Sequence, residues 1–138
     1  MTHSHTPQHL LDLAANAATL SYAPYSSFRV GAAVVDAEGN VFVGGNVENS
    51  AYGATICAEA NAVTSAIATG VRKIDTVAVV CLDGELCTPC GNCRQILREF
   101  GVERVILRNG DGSPRQVALE DLLPMSFGPE ALPSSSDD

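Results

Sequence analysis

Asp75-Thr-Val-Ala-Val-Val-Cys-Leu82 is a nearly continuous apolar run of strand length, rich in β-branched residues. Such a run fits a strand buried on both faces, inside a sheet that helices cover from each side. A cysteine turn, Cys87-Thr-Pro-Cys90-Gly-Asn-Cys93, follows it and leads into a helical pattern from Cys90 to about Phe100, stopped by Gly101. Arg104 to Leu107 reads as another short buried strand, Arg115 to Ala118 as a candidate fifth strand, and Leu119 to Leu123 as a terminal helical turn.

Upstream, apolar residues recur at helical spacing from Gln8 to about Leu20, and Tyr22 to Ser27, with Pro24, breaks that pattern. Arg29 to Val35 and Val41 to Gly44 flank Asp36-Ala-Glu-Gly-Asn40, a hairpin signal. After a loop from Gly45 to Thr55, an alanine-rich helical pattern runs from about Ile56 to Thr69 and stops at Gly70. The order predicts an α/β fold: a three-layer α/β/α sandwich whose mixed five-stranded sheet carries helices on both faces. Residues 1–138 are expected to form a single domain, with 1–7 and 133–138 as flexible ends.

The composition suits a folded domain, with 46% hydrophobic and 17% charged residues among 138. Eight Lys and Arg against sixteen Asp and Glu give a net charge of −8. That balance counts against nucleic acid and anionic membranes as partners and suits a small uncharged or cationic ligand. No apolar run has membrane-spanning length, and MTHSHTPQHL lacks the charged and apolar regions of a signal peptide, so a cytoplasmic location is expected. Five cysteines, an odd number, do not suit a closed disulfide framework; their crowding around 87–93 points to metal or redox chemistry.

Cys57-Ala58-Glu59 and Pro89-Cys90-Gly91-Asn92-Cys93 each open a predicted helix, where backbone N–H groups and the helix dipole favour thiolates. Three thiolates converging on zinc leave its fourth position open for water, as catalytic sites do. Glu59, two residues after Cys57, is poorly placed as a further ligand and well placed to move protons. A CxxC alone would equally suit a redox pair or half of a structural site, and Cys87 could close a four-thiolate structural centre. The proline before Cys90, the position of Glu59 and the two helix starts favour the catalytic reading. Cys81 is expected in the core and Cys87 as a thiol near the site; His3, His5 and His9, at or beside the chain end, are not expected to act as ligands.

From about Leu10 to Leu132 the chain resembles the small homotetrameric zinc-dependent cytidine deaminases. The resemblance rests on Phe28-Arg-Val-Gly-Ala-Ala33, Asn46-Val-Glu-Asn-Ser-Ala-Tyr52, Cys57-Ala-Glu59, Pro89-Cys-Gly-Asn-Cys-Arg-Gln95, and Leu122-Leu-Pro124 with Phe127. It implies Zn²⁺ on Cys57, Cys90 and Cys93, with Glu59 as the catalytic acid and base. By the same likeness Asn46 and Glu48 bind the ribose hydroxyls, Phe28 lies against the pyrimidine, and the Ala58 backbone meets the base. Tyr52 and Phe127 would reach the active site of a neighbouring subunit. The implied reaction is hydrolysis of cytidine and 2′-deoxycytidine to uridine and 2′-deoxyuridine with loss of ammonia, in pyrimidine salvage.

One departure stands out. Many members have arginine immediately after the catalytic glutamate, where this chain has Ala60. The excess negative charge of three thiolates then falls to the helix N-termini and, as a candidate, Arg94. The rivals are deamination of a nucleoside-like antibiotic such as blasticidin S, which the Asn46–Glu48 pair disfavours, and nucleic-acid editing, which the −8 charge disfavours. From another class comes a non-catalytic zinc-stabilised interaction module with Cys87 as fourth ligand.

Overall fold

A computed structural model describes residues 5–84 and 86–132. The chain runs α1 (Pro7–Ala18), β1 (Val30–Asp36), β2 (Val41–Gly45), α2 (Ala58–Ala68), β3 (Ile74–Cys81), α3 (Gly91–Glu99), β4 (Arg104–Arg108), β5 (Pro114–Ala118) and α4 (Leu119–Leu122). The strands form a mixed sheet in the order β2-β1-β3-β4-β5, in which only the β3–β4 pair is parallel. The expected three-layer sandwich is present, including the candidate fifth strand.

β3 sits at the centre of the sheet, and its side chains alternate between two cores. Ile74, Val77 and Val79 join Ala32 and Val34 of β1, Ala62, Val63 and Ala66 of α2, and Leu97 of α3 on one face. Ala78 and Val80 join Ala33, Val35 and Ile106, beneath Leu10, Leu11 and Ala14 of α1, on the other. From Val77 to Val80 the period-2 alternation of a strand assigns each residue to its layer, and a register shift where Ile74 pairs with Asp36 breaks that alternation at the start of the strand.

Two glycines let the helices close on the hairpin from opposite sides. A Cβ on Gly31 would lie 1.9 Å from the Ala14 carbonyl oxygen, and one on Gly44 would lie 2.6 Å from the Ala62 nitrogen. α1 and α2 therefore touch bare backbone at these points, and α2 is thereby seated with its first turn close to the sheet.

The element ends differ from the sequence reading for local reasons. Thr6 caps α1 by accepting from the His9 N–H, Pro7 occupies the first turn, and Nε2 of His5 donates to the Gly39 carbonyl at 2.8 Å. Residues 5–7, expected within the loose end, are thus held. Residues 1–4, His3 included, and 133–138 lie outside the described residues. Ile56 is not helical: it exchanges two backbone hydrogen bonds with Val47, each 2.9 Å, so α2 starts only after Cys57. Among the described residues no helix is long and apolar enough to cross a membrane.

Candidate active site

Cys57 and Cys90 are the N-cap residues of α2 and α3, both in extended conformation (φ −70°, ψ 156° and φ −68°, ψ 169°). Neither uses its side chain as a cap, so both sulfurs remain available. Cys93, in the first turn of α3, is fully buried. The Sγ atoms of Cys57, Cys90 and Cys93 all lie within 4.8 Å of one another, the single grouping of this kind among the described residues. Cys87 is not part of it, and Cys81 is buried in β3 as expected.

The electrostatics of the cluster ask for a cation. Burial pushes the Cys93 thiol far up, aided by the nearby charge of Glu59, and burial also raises Cys57. Burial opposes ionisation of Cys90 too, but hydrogen bonds from the Cys93 backbone and the neighbouring thiols prevail and hold it below the usual value. Three converging thiols of which one ionises readily become three thiolates only around a divalent cation. Zinc, with its preference for tetrahedral thiolate donors, fits this set. Two helix N-termini aimed at the cluster supply positive partial charge.

Glu59 is the second residue of α2 and is 4% exposed. Burial raises its pKa, against the pull of its own backbone N–H and of Cys93. A carboxyl that holds its proton more tightly than a surface glutamate is a stronger base when ionised, which suits a group that gives and takes protons. Ala58, the first residue of α2, is fully buried, and its N–H is among those a helix start leaves without an intrahelical acceptor.

Asn46 and Glu48 are engaged with the segment that leads into β1. The Asn46 side chain donates to the Phe28 carbonyl and accepts from the Val30 N–H, both at 2.9 Å. The Glu48 carboxylate accepts from the N–H groups of Tyr25 (2.9 Å) and Ser26 (3.1 Å) and from the Ser26 hydroxyl. The Ser26 hydroxyl, with the two backbone N–H groups, holds Glu48 below the ordinary glutamate range. Each retains capacity for another partner, since an ionised carboxylate has about four acceptor sites and an amide carbonyl two lone pairs.

Glu48 and Tyr52, with Tyr25, Ser26, Asn49 and Thr55, line an open cleft of ≈ 410 Å³. The Tyr25 and Tyr52 rings meet edge-on at 6.0 Å. Phe28, half-exposed, has its ring beside Gly84. Phe127 is 60% exposed and lines neither the cleft nor the thiol cluster. Another cavity, of ≈ 360 Å³ and lined by His5, Asp36, Thr76 and Arg104 among others, contains none of these residues.

Arg94, the candidate for offsetting the thiolate charge, spends its donors on backbone. Its guanidinium donates to the carbonyls of Pro89 and Leu122, each at 2.7 Å, and so fastens backbone. Two further participants went unread in the sequence. Ser26 holds Glu48, and Asp83 pairs with the Arg29 guanidinium (3.1 Å) and backbone N–H (2.8 Å), fixing the chain on the far side of Phe28. The signal for Ser26 was the Ser-Ser pair before Phe28, where Ser27 takes a left-handed φ of 59°; for Asp83 no local pattern exists.

The family model for the cytidine and deoxycytidylate deaminase zinc-binding region matches residues 4–109. A cytidine deaminase of Mycobacterium tuberculosis is 43% identical over 122 residues, covering 87% of this chain and 88% of that protein. A probable cytidine deaminase of Dictyostelium discoideum is 42% identical over 123 residues, covering 88% and 84%. Among solved structures, the cytidine deaminase of Burkholderia pseudomallei superposes with a TM-score of 0.81 at 44% identity, covering 92% of this chain and all (100%) of that one.

Proposed function

The chain belongs to the family of cytidine and deoxycytidylate deaminases, and on that footing we propose that it hydrolyses cytidine and 2′-deoxycytidine to uridine and 2′-deoxyuridine, releasing ammonia. The observation that carries this reading is Glu59, buried and with a raised pKa, two residues from one member of a three-thiol cluster that opens two helices.

Cys57, Cys90 and Cys93 hold the zinc. When bound, zinc supplies a Lewis acid that makes water a nucleophile at neutral pH. Glu59 takes a proton from the attacking water and delivers it to N3 as the oxygen–C4 bond forms. It then carries the hydroxyl proton to the exocyclic amino group. The C4–N bond breaks, ammonia departs, and C4 is left as a carbonyl, so that nucleoside plus water equals product plus ammonia. The Ala58 backbone holds the base, and Phe28 lies against the ring by offset packing. Glu48 and Asn46 use their remaining hydrogen-bonding capacity on the ribose hydroxyls, which gives nucleosides an advantage over free bases.

In this reading the chain works as a cytoplasmic homotetramer in pyrimidine salvage, and Tyr52 and Phe127 complete the site of a neighbouring copy. Their exposure, 77% and 60%, supports that arrangement. The test is ammonia release from cytidine by wild type and Glu59→Ala, with zinc content determined on both. Turnover by wild type beside a zinc-loaded variant slowed by a factor of about 10³ or more is expected. A variant that still turns over, or a zinc-loaded wild type inert to both nucleosides, overturns the proposal.

A further inference from the structure

Side chains of α3 reach α4 and the segment that follows it. Among the described residues, no backbone N–H of Met125, Ser126 or Phe127 donates to another backbone carbonyl. Met125 has a left-handed φ of 54°, costly for a residue with a Cβ, and is 96% exposed. What holds the segment is a row of α3 side chains. Arg94 donates to the Leu122 carbonyl (2.7 Å), Gln95 to the Phe127 carbonyl (2.8 Å) and Arg98 to the Ser126 hydroxyl (2.9 Å), while Arg98 also pairs with Glu130.

Arg94 is the member of that row that also reaches the thiol cluster's own backbone. Its Nε donates to the Pro89 carbonyl, the peptide that enters Cys90, while its other arm holds Leu122. The planar fork of a guanidinium keeps these two carbonyls at a fixed separation, as a flexible ammonium would not. The turn that supplies two of the three thiols and the end of α4, where the Leu123 N–H returns to the Leu119 carbonyl (2.9 Å), are therefore joined directly through the Arg94 guanidinium.

We propose that Arg94 is a positioning residue that couples metal occupancy at the Cys90–Cys93 turn to the order of the α4 end at Leu122–Leu123. The inference rests on the reading of Cys90 and Cys93 as zinc ligands, and it is independent of the substrate. Coupling between two sites is reciprocal: zinc orders this end of α4, and an ordered α4 end slows zinc loss.

Hydrogen exchange followed by mass spectrometry, on zinc-loaded and chelator-stripped protein, tests the first half; zinc release to a colorimetric chelator tests the second. Stripping zinc from wild type is expected to raise exchange in peptides spanning 119–123 as well as 87–93. Zinc-loaded Arg94→Ala should already show fast exchange at 119–123 and release zinc about tenfold faster than wild type, the effect of losing two hydrogen bonds from a charged donor. Arg94→Lys, which retains the charge without the fork, should fall between them and serves where the alanine variant folds poorly. Arg98→Ala frees Ser126 and Glu130 but leaves Pro89 and Leu122 held, so exchange at 119–123 and the rate of zinc release should both stay near wild type. Exchange at 119–123 indifferent to zinc, or equal zinc release from the Arg98→Ala and Arg94→Ala variants, overturns the coupling. A protein that takes up no zinc overturns the metal site itself, and the coupling with it.

Discussion

Asn46 grips Phe28 by its backbone: the side-chain Nδ2 donates to the Phe28 carbonyl at 2.9 Å while Oδ1 accepts from the next residue but one, Val30. A nearly buried amide thus continues the β1 ladder for one more step and sets where the Phe28 ring stands. Replacing it with alanine orphans a carbonyl and an N–H together. Asn46→Ala should therefore lose about 2–3 kcal/mol of stability, read from urea or thermal unfolding, along with a raised KM. Asn46→Asp should rescue little, because its second oxygen faces the Phe28 carbonyl with no proton to donate.

The two close glycine contacts predict different failures. Gly31→Ala drives a Cβ into the Ala14 carbonyl of α1, on the face away from the thiols. It should lower stability by about 1–3 kcal/mol and leave zinc stoichiometry intact in the folded fraction. Gly44→Ala instead meets the Ala58 carbonyl at 2.8 Å and the Ala62 nitrogen at 2.6 Å, lifting the helix that bears Glu59. Faster zinc loss and lower turnover should accompany its destabilisation. Indistinguishable zinc retention in the two variants would contradict this division.

Cys87 lies outside the thiol grouping, and burial, aided by nearby Glu59, pushes its pKa up to about 12. Cys87→Ala should leave the zinc-to-protein ratio unchanged, as measured by atomic absorption. Cys93→Ala should abolish stoichiometric zinc. Loss of metal in the Cys87 variant would restore the four-thiolate structural alternative.

Asp36 predicts the acid limb of the stability curve. The residue is 7% exposed, and its carboxylate accepts from the Glu38 N–H (2.9 Å) and from the backbone and side chain of Asn40 (2.8 and 3.0 Å). Burial opposes its charge, but the hydrogen bonds with Asn40 and Glu38 outweigh that and hold its pKa below the ordinary value. The unfolded chain therefore binds this proton first as pH falls. The contribution is complete above the unfolded value of about 3.9 and is lost as pH drops through the lower folded value. Asp36→Asn should unfold at lower urea than wild type at pH 6, with the difference shrinking toward pH 3.

The architecture was legible where hydrophobic periodicity speaks. The run at 75–82, the hairpin around 36–40 and the alanine-rich helix each reappear with ends moved by a few residues, and the thiol grouping follows from two helix-opening motifs. What stayed hidden depends on partners far along the chain. Ile56 leaves the helical pattern because Val47 takes its backbone bonds, which no local propensity reveals. Arg94 was placed correctly beside Cys93, but a guanidinium on a long side chain finds its acceptors in space, here Leu122, 28 residues on. The amide of Asn46 likewise looks free for a ligand in the sequence and is half-committed to the fold.

The alternation along β3 has a consequence for how the molecule comes apart. Val77 and Val79 belong to the core beneath α2, Ala78 and Val80 to the core beneath α1, and neither set can be wetted while the strand stays in its ladder. The two layers thus melt together, as one cooperative unit. Whatever binds tightly at the starts of α2 and α3 protects α1 as well, on the opposite face of the sheet and out of its reach.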